Sequence, residues 1–315
     1  METVNMRYAA GIDLGGTFIK LALVSEKGDF LFEDKLSIGE KASRDKILDT
    51  ISHAIELVME NARKKNIQVN GIGIGTPGVV DKGVVIGGAE NLDGWENLDL
   101  STIFSTAFGL PVFVENDANV MGLGESVYGA AKDCTDVIFF TVGTGIGGAM
   151  IINGKLYSGY KNRGAELGHF TIDHKGIECN CGGRGCLEAY ASTSALIKQY
   201  AERSGKDAEA IDGRYIVNKF NEGEEHALAC MREHVDYLGH GIASFINTFA
   251  PQKVVIGGGI SEAGQFYIDM IKEAVFYYVM PDCARYTEIV GASLGNKAGC
   301  LGAASLVFRN INTSL

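Results

Sequence analysis

Apolar residues along the chain fall into short runs that end in glycine, and the same series of runs occurs twice. In the first series, runs and turns alternate through the segments 8–12, 13–17, 18–24, 27–29 and 30–36. In the second, about 130 residues later, the corresponding segments are 137–142, 143–148, 149–152 and 153–154, followed by a third short run. Apolar runs of this length bounded by glycine are typical of buried strands. The recurrence predicts an internal duplication, with one copy in each of two domains.

Longer segments with apolar residues every three or four positions predict helices. One amphipathic helix is predicted over 45–63. Further long helical patterns cover 188–203, 225–249 and 264–279, and Pro251 ends the second of these three. Further buried strands are predicted at 71–74, 112–114 and 253–256. Strands that alternate with helices in this way predict an α/β fold with mixed sheets.

Composition and charge narrow the classes of function. A length of 315 residues predicts two domains. The net charge of -11 argues against a nucleic-acid partner, because such binding depends on cationic contacts to phosphate. Backbone amides on an acidic protein can nevertheless bind phosphate. No segment has the length and apolarity of a membrane span, and the chain begins without a secretory signal, so we expect a cytoplasmic protein without a membrane partner.

One histidine and three cysteines lie close together between Glu166 and Glu188. They are His169, Cys179, Cys181 and Cys186. This is a complete tetrahedral ligand set for structural Zn²⁺, and in a reducing cytoplasm such clusters are more often metal sites than disulfides. His174 is an alternative fourth ligand, and the other four cysteines are expected in the core. A closed zinc site does not need the two flanking carboxylates, so they are candidates for another role.

The glycine turns of the two series are candidate phosphate sites. The segment 143–148 fits G-x-G-x-x-G, but a dinucleotide fingerprint must open a helix, and here a strand is predicted to follow. The Rossmann interpretation is therefore rejected, and no P-loop motif occurs in the sequence. A glycine hairpin can still hold phosphate with its exposed N–H groups. Thr17 and Thr144 would add hydroxyl donors, and Asp13 could hold Mg²⁺ through water.

Asn116 and Asp117 follow an apolar strand, where a buried carboxylate is costly unless it has partners or a function. An aspartate that faces a substrate hydroxyl can accept its proton during phosphoryl transfer. The alternative is a helix N-cap, which the residues after Asp117 equally allow. Together with Glu166 and Glu188, this pair forms a credible set for binding the hydroxyls of a sugar.

Four motifs together closely resemble the ROK family of sugar kinases and repressors, with bacterial glucokinases as the nearest fit. They are Asp13-Leu14-Gly15-Gly16-Thr17, Glu115-Asn116-Asp117, 143–148 and the segment from His169 to Glu188. The likeness continues through 294–299 and 302–304, and so covers essentially the whole chain. It implies an actin-like ATPase (ribonuclease H-like) fold with two domains around an active-site cleft. We expect a small domain of residues 1–117 and 300–315 and a large domain of residues 118–299.

The resemblance also implies a role for each matching residue. Asp117 would be the base that activates the 6-hydroxyl of the sugar. The residues expected to bind sugar are Asn91, Asn116, Asp117, Glu166, His169 and Glu188. Those expected to bind ATP and its Mg²⁺ are Asp13, Gly15, Gly16, Thr17, Lys20, Gly143, Thr144, Gly145, Gly257, Gly258 and Gly259. The histidine would also ligate Zn²⁺ with the three cysteines, and a homodimer is expected from the resemblance alone.

The expected activity is ATP-dependent phosphorylation of a hexose, with glucose giving glucose 6-phosphate. The runner-up is a kinase of N-acetylmannosamine or of another hexose or N-acetylhexosamine, because the spacing does not resolve the shape around the 2-position of the sugar. A sugar-responsive repressor is disfavoured by the acidic charge and by the twelve residues that precede Asp13, too few for a helix-turn-helix domain. A non-catalytic sugar sensor is disfavoured because Asp117 and both glycine turns are present.

Overall fold

Two five-stranded sheets with the same strand order form the framework of the chain. The structure is a computed structural model, and it describes residues 6–39, 42–89 and 92–311, apart from the side chain of Glu262. The strands are β1 Tyr8–Leu14, β2 Phe18–Ser25, β3 Phe30–Ser37, β4 Gly71–Thr76, β5 Val79–Asp81, β6 Val84–Gly87, β7 Leu98–Asp99, β8 Val112–Asn116, β9 Val137–Val142, β10 Ile146–Ile152, β11 Lys155–Leu156, β12 Lys253–Gly257 and β13 Glu288–Gly291. The α-helices are α1 Arg44–Lys64, α2 Leu100–Phe108, α3 Asp117–Tyr128, α4 Leu187–Ala191, α5 Thr193–Ser204, α6 Gly213–Asn221, α7 Glu225–Phe249, α8 Gln265–Tyr278, α9 Pro281–Ala284 and α10 Ala298–Ile311.

The chain divides into two units. The first comprises Met1–Asp133, Ser158–Gly164 and Asn296–Leu315, and the second comprises Cys134–Tyr157 and Ala165–Gly295. In the first unit the sheet order is β3-β2-β1-β4-β8, and in the second it is β11-β10-β9-β12-β13. In each sheet an antiparallel meander of three strands is extended by two parallel strands. The identical order confirms the predicted internal duplication.

In the first unit, α1 covers one face of the sheet with an apolar side. Ser43 caps its N-terminus by accepting a hydrogen bond from the Lys46 amide, and Ile47, Ile51 and Val58 are fully buried in the core. Strands β5, β6 and β7 form a separate small sheet that the apolar pattern did not predict. The only tryptophan, Trp95, is buried after this sheet's second strand, and its Nε1 donates to Thr76 Oγ1 over 2.8 Å.

Helices α3 and α10 pack against each other at a distance that only glycine allows. A Cβ on Gly302 would lie 1.6 Å from Val120 O, and one on Gly124 would lie 2.4 Å from Ala298 O. Because of this contact α3 belongs with the first unit, which therefore continues to Asp133. The chain re-enters the first unit at Asn296. The sequence analysis placed those two boundaries after 117 and before 300.

In the second unit, α7 crosses the core and ends at Ala250, whose φ of 44° is left-handed and which precedes Pro251. The predicted helices over 225–249 and 264–279 correspond to α7 and α8. The predicted helix over 188–203 is instead two helices. Ser192 adopts an extended conformation between them and caps α5 by accepting from the Ala195 amide. Within the described residues, no helix combines the length and apolar character needed to cross a bilayer.

The four cysteines predicted to lie in the core have two different environments. Cys230 and Cys300 are buried as expected, but Cys134 and Cys283 are only partly buried. Cys283, in the short helix α9, packs against the core of the second unit although it is only partly buried, and Cys134 precedes β9. The prediction is therefore confirmed for Cys230 and Cys300, and Cys283 lies at the margin of the core.

Candidate functional site

The turn after β1 presents backbone amides at one edge of the first sheet. Leu14 pairs with Ile19, and the Gly15 amide donates to Phe18 O over 3.0 Å, which closes the turn. A Cβ on Gly16 would meet nothing within 4 Å, and Thr17 is exposed. Glycine at position 16 therefore leaves open space above the amides, as a phosphate site requires.

Asp13 lies just below this turn and is 3% exposed. Burial raises the pKa of its carboxyl group, and the Lys20 ammonium, with Nζ 3.5 Å from Oδ2, opposes that shift. The start of α10 covers the carboxylate closely, because a Cβ on Gly299 would lie 2.3 Å from Oδ2. A helix N-terminus favours negative charge, so both Lys20 and α10 stabilise an ionised Asp13.

Asn116 and Asp117 lie at the same edge of the sheet, because β1, β4 and β8 are parallel. Asn116 is the N-cap of α3: its side chain accepts from the Asn119 amide over 3.2 Å, and its Nδ2 donates to Gly78 O over 3.0 Å. Asp117 is the first residue of the helix, half-buried, and its Oδ1 accepts from the Ala118 amide over 2.8 Å. The N-cap role considered for Asp117 thus belongs to its neighbour.

Glu115 is a titratable group that the sequence analysis did not single out. Burial raises the pKa of its carboxyl group, which accepts hydrogen bonds from the Asn116 amide and from Asn119 Nδ2. It therefore fixes the backbone on which the candidate base is carried. Asn91, a predicted sugar ligand, lies outside the described residues.

In the second unit, the hairpin between β9 and β10 repeats the arrangement of the first turn. Val142 pairs with Ile146, so the hairpin loop consists of Gly143, Thr144 and Gly145. The Gly143 amide donates to Gly145 O over 2.9 Å. A Cβ on Gly143 would meet nothing within 4 Å, so the space above this amide is also open.

A cavity of about 760 Å³ opens beside this hairpin, within the range of nucleotide-sized ligand pockets. It lies at the carboxyl ends of β9 and β12, which are parallel. Three of the residues expected to bind ATP border it: Gly143, Thr144 and Gly259. Gly258, at φ 92°, instead packs against Val142 O, and Gly257 is buried against Phe139.

Most of the cavity wall comes from residues that sequence reasoning missed. They are Thr193, Ser194, Ile197, Asp212, Gly213, Arg214, Val217, Asn218, Asn221, Ile260 and Ala263. These residues belong to α5, α6 and the segment after β12, which carry no recognisable motif. The one available signal was Asp212-Gly213, since Asp212 is the N-cap of α6 and accepts from the Tyr215 amide.

The predicted zinc ligands converge in the second unit. The ligand atoms of His169, Cys179, Cys181 and Cys186 all lie within 4.8 Å of one another, and His174 is outside this group. Cys181 Sγ and Cys186 Sγ are 3.7 Å apart, and Cys179 Sγ is 3.8 Å from His169 Nδ1. The loop needs glycine at its bends: Gly185 has φ 75°, and its Cβ would overlap Asp173 O.

These distances fit a tetrahedral zinc site. Zn–S bonds of about 2.3 Å place two sulfurs of a tetrahedron about 3.8 Å apart. Burial, followed by the neighbouring thiols, raises the pKa of Cys186 to about 12, and burial also raises that of Cys179. A hydrogen bond from the Gly183 amide instead lowers the pKa of Cys181, so a bound cation would have to stabilise chiefly the thiolates of Cys179 and Cys186. The donor set and its spacing both suit Zn²⁺.

The two carboxylates that flank this cluster have different environments. Glu166 is exposed and precedes the 3₁₀ turn Leu167–His169. Glu188 is half-buried in the first turn of α4, and its Oε2 accepts from the Ile146 amide over 2.8 Å. The second carboxylate is thus attached to the glycine hairpin, a contact that the sequence did not reveal.

The chain is similar to known proteins over almost its whole length. The family model of the ROK family matches residues 9–310. Glucokinase of Thermotoga maritima is 35% identical over 96% of this chain and 97% of its own. The xylose repressor of Bacillus spizizenii is 32% identical over 96% of this chain and 77% of its own. The crystal structure of a ROK family glucokinase from Streptomyces griseus, in complex with glucose and AMPPNP, superimposes with a TM-score of 0.82 at 33% identity, covering 96% of this chain and 100% of that one. With the duplicated sheets, this likeness confirms the expected actin-like ATPase fold.

Proposed function

The chain belongs to the ROK family, and from that premise we propose that it is an ATP-dependent sugar kinase. Its reaction is transfer of the γ-phosphoryl group to the 6-hydroxyl of a hexose, with glucose as the foremost substrate and glucose 6-phosphate as the product. The observation that carries this proposal is the cavity of about 760 Å³ next to the hairpin Gly143–Gly145. A nucleoside fits a cavity of this size, and the open space at Gly143 beside it suits a polyphosphate.

In this proposal Asp117 is the general base. Its carboxylate would accept the proton of the 6-hydroxyl as the oxygen attacks the γ-phosphorus, and the bond to the β-phosphate oxygen would break. The half-buried position of Asp117 at the first turn of α3 supports this role, because a helix N-terminus favours negative charge. Asn116 and Glu115 hold the backbone of this turn in place through the hydrogen bonds described above.

Sugar hydroxyls would be bound by carboxylate, amide and imidazole groups. The proposed set is Asn91, Asn116, Asp117, Glu166, His169 and Glu188. The Nδ1 atom of His169 is directed at Cys179, so Nε2 would be left to bind a hydroxyl of the sugar. Bound Zn²⁺ would fix the imidazole and the loop that carries Glu188, a structural role without an open coordination position.

Phosphates would be held by the two glycine turns, 15–17 and 143–145. Thr17 and Thr144 are both exposed and so can donate their hydroxyls. Mg²⁺ when bound would neutralise charge on the phosphates, and the buried Asp13, which is paired with Lys20, would hold its water ligands. Gly259 would lie near the nucleoside, since it borders the same cavity as Thr144.

A kinase of N-acetylmannosamine or of another hexose is the second candidate within the same reaction class. A non-catalytic sugar sensor is the remote alternative, and the similarity to xylose repressors favours it. The homodimer and the cytoplasmic location stay predictions from the resemblance and the sequence.

The proposal is tested by measuring ADP release in a coupled assay with glucose, mannose, fructose, N-acetylglucosamine and N-acetylmannosamine. We expect the highest kcat/KM with glucose, and a reaction without sugar gives the ATPase background. A preference for N-acetylmannosamine would select the second candidate. If none of the five sugars raised ADP release above background, the kinase proposal would be wrong. Replacement of ATP by inorganic polyphosphate determines whether another phosphate donor is used.

A further inference from the structure

Glu188 is in direct contact with the hairpin that borders the nucleotide cavity. Its Oε2 accepts a hydrogen bond from the amide of Ile146, the residue that closes the hairpin by pairing with Val142. The carboxylate also lies against the hairpin loop, because a Cβ on Gly145 would be 2.4 Å from the same oxygen. The position of this side chain and the position of the loop therefore depend on each other.

The second carboxylate oxygen of Glu188 remains available to a ligand. Within the described residues, Oε1 accepts no hydrogen bond from the protein. A carboxylate can accept several hydrogen bonds at once, through both oxygens. Glu188 can thus bind a sugar hydroxyl through one oxygen while the other holds the hairpin.

The same short segment holds the hairpin at its other end. Thr193 donates its amide to Gly143 O over 2.8 Å, and the Ser192 amide donates to Glu188 O over 3.1 Å. Residues Glu188 and Thr193 therefore attach to opposite ends of the three-residue loop. Thr193 also borders the nucleotide cavity, together with Gly143 and Thr144.

We propose that the segment Glu188–Thr193 couples the sugar and nucleotide sites, with Glu188 as a positioning residue for the phosphate hairpin. The inference rests on the proposed function for the identity of the two ligands. A sugar bound to Glu188 would fix the carboxylate, and the fixed carboxylate would hold the Ile146 amide and the loop in the conformation that binds phosphate. Because coupling between two binding sites is reciprocal, bound nucleotide would strengthen sugar binding by the same factor.

The first test measures the affinity for AMPPNP by calorimetry, without sugar and with saturating glucose. We expect Glu188→Ala to weaken AMPPNP binding about 10-fold even without sugar, the typical effect of losing a hydrogen bond to a charged group. Glu188→Gln should keep the affinity within about threefold, because its amide oxygen can still accept from Ile146. Glu166→Ala is the matched control: among the described residues its exposed carboxylate makes no hydrogen bond to the hairpin, so sugar binding should weaken while AMPPNP binding without sugar does not change.

The second test changes the hairpin side of this contact and measures the affinity for glucose. A methyl group on Gly145 would collide with the Glu188 carboxylate, whereas one on Gly143 would meet nothing within 4 Å. Gly145→Ala should therefore weaken glucose binding without nucleotide by about 10-fold, and Gly143→Ala should leave it unchanged. Zinc analysis of every variant shows whether the metal cluster has stayed intact.

Unchanged AMPPNP affinity in Glu188→Ala, or unchanged glucose affinity in Gly145→Ala, would overturn the coupling. Either result in an enzyme that still phosphorylates glucose would leave the proposed function standing. Conversely, if the chain bound AMPPNP but phosphorylated no sugar, the kinase proposal would fail, and the effect of Glu188→Ala on AMPPNP would still decide whether this residue positions the hairpin.

Discussion

Replacement of Asp117 by asparagine separates the proposed chemistry from the fold. The Asp117 side chain is half-buried at the first turn of α3, and its Oδ1 accepts from the Ala118 amide. An asparagine oxygen can accept the same hydrogen bond, and Asn116 still caps the helix. The substitution therefore removes the negative charge and the ability to accept a proton, with little change in shape.

The expected effects on stability and on catalysis differ widely in size. Loss of the interaction between the carboxylate and the helix N-terminus costs about 0.3–1 kcal/mol of the free energy of unfolding. If the protein is stable by about 5 kcal/mol, the unfolded fraction then stays near ~0.1%. Loss of a general base lowers kcat about 10²- to 10⁴-fold, equivalent to about 2.7–5.4 kcal/mol in the activation barrier. Unfolding thus cannot account for the loss of activity.

The assay is the coupled measurement of ADP release, with kcat and KM for glucose determined separately and glucose affinity measured by calorimetry. We expect kcat to fall by at least about 10²-fold while glucose affinity changes little. Asp45→Asn is the control: it removes an exposed carboxylate from the first turn of α1, with the same loss of helix-dipole stabilisation and no loss of activity. A kcat for Asp117→Asn close to that of the unchanged protein would refute the assignment of the base.

Three further predictions address the metal, the packing and the pH dependence. By elemental analysis, Cys186→Ala should contain no zinc, whereas the control Cys283→Ala, which lies outside the cluster, should keep one zinc per chain. Absence of zinc from the protein without substitutions would contradict the zinc site. Gly302→Ala should lower the free energy of unfolding, measured in urea, by roughly 2–4 kcal/mol. The reason is that its Cβ would lie 1.6 Å from Val120 O, a backbone atom that cannot rotate away. A urea midpoint equal to that of the unchanged protein would show that α3 and α10 pack less closely. Burial lowers the pKa of His234 to about 3, so between this value and the unfolded value of about 6.5 the unfolded chain binds more protons and stability falls as the pH falls. His234 should therefore lower the free energy of unfolding by about 2 kcal/mol between pH 7 and pH 5. In urea unfolding at several pH values, His234→Gln should remove this part of the pH dependence of stability. An equal pH dependence in the two proteins would argue against a neutral buried imidazole.

Local patterns predicted the elements whose side chains face one continuous core. The apolar runs of β1, β2 and β9 are almost entirely buried, so hydrophobicity alone marks them. By contrast, β5, β6 and β7 are short and only partly buried, and their pattern is too weak to distinguish them from loop. The break at Ser192 was also missed, because the apolar spacing continues through it. There the extended backbone of Ser192 ends α4, and its side chain caps α5 by accepting from the Ala195 amide.

By itself, the sequence determined the duplicated strand pattern, the two glycine turns, the cluster of one histidine and three cysteines, and the candidate base Asp117. These features are encoded in contiguous residues whose type and spacing carry the chemistry. Only the tertiary structure placed α6 beside the cavity next to the hairpin Gly143–Gly145, brought Gly299 onto the Asp13 carboxylate and attached Glu188 to the amide of Ile146. Such contacts join residues that are distant along the chain. They are formed by backbone amides and by glycines, whose lack of a Cβ allows close approach. They depend on the close approach of packed elements, which no local pattern of side chains records.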